Sequence, residues 1–76
     1  MITGEQVKAA RKLLKWPQMT LSIEADVSLP TLVAFEKGQK LTRETTVAKI
    51  QKTLEKAGVE FIAEEFPRLK AHARRA

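Results

Sequence analysis

Gln18, Lys37, Lys40 and Arg43, with the segment from Ser28 to Ala34, are the residues of this chain with most to offer a ligand. A glutamine amide and three closely spaced cations are donors suited to phosphate oxygens. Ser28, Leu29, Pro30, Thr31, Val33 and Ala34 lie just ahead of those cations and present small polar and apolar groups. That set suits recognition of a polyanion. It does not suit catalysis: Glu5, Glu64, Glu65 and His72 are acid-base groups, yet no spacing makes them converge, so no enzyme activity is expected. Without cysteine there is no disulfide or thiol chemistry, and His72 alone cannot build a nitrogen or sulfur metal site. No metal, cofactor or small-molecule ligand is expected.

Charge points the same way. Fourteen Lys and Arg against nine Asp and Glu give a net charge of +5, and the pI is near 9.9. Such a balance favours nucleic acid or another anionic surface. A chain of 76 residues makes one small domain that buries roughly 60% of its unfolded surface. No apolar run approaches the roughly 18 residues of a membrane span, and the Met-Ile-Thr-Gly-Glu start lacks the basic and apolar regions of a signal peptide. The expected setting is the cytoplasm, away from membranes.

Four helices must position these residues. Thr3 is a good N-cap with Gln6 completing a capping box, and Val7, Ala10 and Leu14 recur at helical spacing, predicting a first helix from about Gly4 to Lys15. Pro17 ends that run and restarts the chain as a second helix from Gln18 to Ala25, with Leu21 and Ala25 inward and Trp16 stapling its start. The turn Asp26-Val27-Ser28 requires a left-handed residue at Asp26. Ser28 caps a third helix, Leu29 to Lys37, with Pro30 in its first turn and Gly38 as its stop. Thr42 is the expected cap of the fourth helix, whose Val47, Ile50 and Leu54 repeat until Gly58. The expected class is all-α, with four to five helices around one core and a short extended C-terminal segment. Residues 1 to 58 form the helical domain; 59 to 76 form an extended, β-prone Val59 to Ile62, then a short helix from Pro67 or a frayed tail with basic Arg68, Lys70, Arg74 and Arg75.

Residues 3 to 62 resemble the helix-turn-helix family of phage lambda repressor and Cro, often called the XRE family. The match rests on Arg11, Leu14, Gln18, Leu21, Ala25, Val27, Ser28, Leu32, Phe35, Glu36 and Gly38 at the family's spacing, followed by Ala57-Gly58-Val59-Glu60-Phe61-Ile62, an ending common in one bacterial branch. The resemblance implies a protein of double-stranded DNA, with the third helix in the major groove. It implies an internal ion pair between Arg11 and Glu36, and a Gln18 that opens the second helix beside a phosphate. The chain departs from the pattern in three places. Pro17 stands where a Ser, Thr or Asn cap is usual, and Asp26 stands where Gly is usual. The third departure concerns base reading. Turning the third helix by roughly 100° per residue with Leu32 and Phe35 inward puts Pro30, Val33, Ala34 and Lys37 outward beside Leu29, a face without the Arg, Gln or Asn forks that each supply about 1–3 kcal/mol of base discrimination. Thymine methyls and DNA shape would have to carry selectivity.

Two functions follow. One is a sequence-selective regulator whose Gln18, Ser28, Leu29, Pro30, Thr31, Val33, Ala34, Lys37, Lys40 and Arg43 meet DNA. The other is a protein-interaction module on the same scaffold, such as an antitoxin-like or repressor-partner subunit, with weak or no DNA binding. A homodimer is expected in the first case, formed through Val59 to Ile62 as an unpaired strand that pairs with its two-fold copy.

Overall fold

The computed structural model describes residues 2–39, 42–62 and 66–69. It is predominantly helical: α1 (Gly4–Leu13), α2 (Gln18–Ala25), α3 (Leu29–Lys37) and α4 (Glu44–Lys56), followed by two short strands, β1 (Val59–Glu60) and β2 (Arg68–Leu69). All four helices contribute to one core, made of Ile2, Val7, Ala10, Leu21, Ala25, Leu32, Val47, Ile50, Leu54 and Val59. Leu14, Trp16, Val27, Phe35 and Phe61 pack against it while partly exposed. Among the described residues no helix is long and apolar enough to cross a membrane.

Thr3 and Gln6 form the expected capping box. Thr3 Oγ1 accepts the Gln6 N–H at 3.2 Å, and Gln6 Oε1 accepts the Thr3 N–H at 2.9 Å. α1 stops at Leu13, two residues short of the expected Lys15. The reason is a left-handed Lys15, with φ of 59°: its N–H bonds to Lys12 O and the Trp16 N–H reaches back to Arg11 O, the double closure that reverses a chain at a helix end. Pro17 demands such a reversal, because it cannot continue α1. The same device ends α2 at Asp26 (φ 57°) and α3 at Gly38 (φ 68°), where Val27 and Gln39 donate back to Ser22 and Ala34. Of these three positions only the last carries the residue type that adopts this conformation freely.

Ser28 caps α3 as expected, with Pro30 in the first turn. α4 differs from expectation. It begins at Glu44 with Arg43, not Thr42, in the cap position, and no side chain closes it. Val47 N–H donates to Arg43 O at 3.0 Å, and Glu44 in the first turn supplies a negative charge suited to the exposed helix N-terminus.

The segment after Gly58 corrects two further expectations. β1 is not an unpaired strand: it is antiparallel to β2, with Val59 opposite Leu69 and Glu60 opposite Arg68. Val59 is fully buried in the chain's own core, so it is not free to form a dimer face. Pro67, expected to start a helix, is instead a buried residue leading into β2. A missing N–H is tolerated at the start of an edge strand, and the adjacent apolar surface of β1 gives the returning chain something to bury against. Glu60 and Arg68 add an exposed ion pair at 3.3 Å. The expectations for Glu64, Glu65, Lys70, His72, Arg74 and Arg75 lie outside the described residues.

Candidate nucleic-acid interface

The close approach of α1, α2 and α3 is organised by one carboxylate. Glu36 lies in the last turn of α3, and its side chain is only 3% exposed. Arg11, in the last turn of α1, meets it with two parallel bonds: Nε to Oε2 at 2.9 Å and Nη2 to Oε1 at 2.9 Å. A planar guanidinium and a planar carboxylate fit in this way with little further ordering. Arg11 Nη1 also donates to the Trp16 carbonyl at 2.9 Å, which fastens the corner containing the left-handed Lys15. Gln18 Nε2 adds a third bond to Glu36, 3.1 Å to Oε1. The expected Arg11–Glu36 pair is therefore present, and it also governs the start of α2.

Gly4 explains how α1 can come so near. A methyl group on Gly4 would overlap the Phe35 carbonyl oxygen and lie 2.9 Å from Glu36 Cα. Only a residue without a side chain lets the start of α1 rest on the end of α3.

Gln18 is half-buried, with one amide hydrogen committed to Glu36; its second hydrogen remains for another acceptor. Ser28, Pro30, Thr31, Lys37 and Arg43 are exposed. Leu29, Val33 and Ala34, expected to face outward, are half-buried. Lys40 lies outside the described residues. The α3 face is thus a shallow surface of Pro30, Thr31 and the edges of three apolar side chains, with Lys37 at its C-terminal end.

Two features were not legible in the residues taken singly. Lys15 is an exposed residue whose backbone forms the reversal that leads into α2, and the proline two residues later was the signal of it. Met19 and Ile23 occupy the outer side of α2 one turn apart and are 54% and 68% exposed, an apolar pair that a helix period read from Leu21 and Ala25 would place outward. Lys15, Lys37 and Arg43 have no ion-pair partner among the described residues. Among those residues there is also no cluster of side chains fit to hold a metal. The chain matches no protein-family model and no curated protein.

Proposed function

We propose that this protein is a sequence-selective DNA-binding regulator of the lambda repressor and Cro type, a cytoplasmic, non-enzymatic homodimer that lays α3 in the major groove. The observation that carries this reading is the placement of uncommitted charge. Lys15 precedes α2, Lys37 closes α3 and Arg43 precedes α4, all exposed and without ion-pair partners among the described residues. They frame two short helices joined through only three residues, 26 to 28. Cations at such positions in the chain suit the phosphates that flank a groove entered by the helix between them, and Lys8, Lys12, Lys52 and Lys56 on α1 and α4 are exposed and without ion-pair partners among the described residues as well. Gln18, held by Glu36, offers its second amide hydrogen to the same backbone.

Selectivity in this reading is modest. The apolar edges of Leu29, Val33 and Ala34 suit thymine methyls, and DNA shape adds to what they read. Dimerisation would use the outer strand β2 and its neighbour Phe66, which is 72% exposed, and not the buried Val59. Sedimentation of the unaltered chain and of Phe66→Asp tests that surface.

The exposed Met19 and Ile23 favour a second reading, in which the outer side of α2 docks a protein and DNA binding is weak or absent. Titration of labelled, pooled random duplex at low salt separates the two. Binding that salt reverses supports the DNA reading; no binding to any duplex refutes it and leaves the protein-interaction module.

A further inference from the structure

The outward side of α3 is poor in donors. Leu29, Val33 and Ala34 have no polar side-chain atom, and Pro30 lacks even a backbone N–H. Thr31, exposed in the first turn, is the exception. Ser28 Oγ accepts the Thr31 N–H at 3.3 Å and donates its own hydrogen to Thr31 Oγ1 at 2.8 Å. Each hydroxyl carries a single hydrogen. One bond between two hydroxyls uses one of their two hydrogens, so with Ser28 as its donor the Thr31 hydrogen is left for an outside acceptor, and the contact with Ser28 limits the directions in which it can point. Lys37, the other outward polar residue, sits at the far end of the helix on a flexible stem, better suited to a phosphate than to a base. Recognition helices present their N-terminal residues to base edges.

We propose that Thr31 is the specificity-determining residue of this protein, its hydroxyl donating to an acceptor on a base edge in the major groove: a purine N7 or O6, or a thymine O4. Ser28 is the positioning residue that orients it. The inference rests on the DNA reading given above.

The test starts from the best site selected out of a random duplex library and measures selectivity, the ratio of affinities for that site and for a scrambled duplex. Thr31→Val keeps the side-chain shape and the backbone N–H that Ser28 accepts, and exchanges the hydroxyl for a methyl group. Its selectivity is expected to fall about five- to tenfold, the worth of one neutral hydrogen bond, with scrambled-duplex affinity and melting temperature unchanged. Thr31→Ser, which keeps a hydroxyl, is expected to stay within about twofold of the unaltered chain. Because Ser28 acts through Thr31, Ser28→Ala should lower selectivity in the unaltered background and lower it no further in Thr31→Val, a non-additivity that a purely structural cap would not produce. Unchanged selectivity in Thr31→Val, with binding retained, overturns the assignment and leaves the DNA reading standing. An unaltered chain that binds no duplex overturns the DNA reading and this assignment with it.

Discussion

Arg11→Ala is the perturbation whose outcome follows most directly from the geometry. It leaves the Glu36 carboxylate, 3% exposed, with the Gln18 amide as its one partner among the described residues. Stranding a buried charge in this way costs roughly 3–5 kcal/mol. Glu36→Ala is milder, because the Arg11 side chain is 12% exposed, sits nearer water and keeps the Trp16 carbonyl; a loss of roughly 1.5–3 kcal/mol is expected, the worth of charge-assisted hydrogen bonds. A domain of this size has only about 4–11 kcal/mol in total. Arg11→Ala should therefore remove a large share of the stability, and the assay is urea unfolding in the cold, followed by circular dichroism. The double variant Arg11→Met, Glu36→Leu removes both charges together and should recover most of the loss, since filling the site with apolar groups is about neutral or better. The reasoning is refuted if either alanine variant loses less than about 1 kcal/mol, the range of an exposed pair, or if the double variant is the least stable of the three.

Gly4→Ala should destabilise by about 1–3 kcal/mol in spite of the better helix propensity of alanine, because the added methyl meets the backbone of Phe35 and Glu36; a melt at or above the parent temperature would contradict the close approach. Lys15→Gly and Asp26→Gly both relieve a left-handed backbone and should each raise stability by about 0.5–1 kcal/mol, Lys15 the more because Asp tolerates that region better. The contribution of Asp26 to its long, exposed contact with Lys49 at 3.9 Å is too small to reverse this. Val59→Ala should cost about 1–3 kcal/mol, whereas Phe66→Asp should leave monomer stability within about 0.5 kcal/mol, as urea titration of each can establish.

The parts of the fold that local chemistry dictates were readable from the residues. Thr3 with Gln6, Ser28 with Pro30, and the helical recurrence of Val47, Ile50 and Leu54 fix where helices begin and which side they bury, and α2 and α3 have the expected bounds. What the residues left open depends on distant partners. Val59 to Ile62 reads as a lone strand because its partner, Arg68–Leu69, sits after a polar stretch with no β pattern of its own. Lys15 reads as the last residue of a helix because nothing in a lysine announces a left-handed backbone; only the geometry imposed by Pro17 does. At the candidate interface, Arg11 and Glu36 were paired through resemblance, while the third bond from Gln18 and the partial burial of Leu29, Val33 and Ala34 emerge only once α1, α2 and α3 are packed together. Thr42 was the better cap by residue type, yet α4 starts one residue later, at Glu44, with Arg43 in the cap position.

The salt dependence of duplex binding tests the central claim most directly. Affinity for pooled duplex is measured by fluorescence anisotropy between low and physiological salt, for the unaltered chain and for Lys37→Ala with Arg43→Ala. Each phosphate neutralised contributes a log-log slope of about −0.9. The double variant is expected to flatten the slope by close to twice that amount and to weaken all sequences alike. Binding in which the double variant has the same slope and affinity as the unaltered chain would contradict the placement of α3 and its flanking cations on DNA.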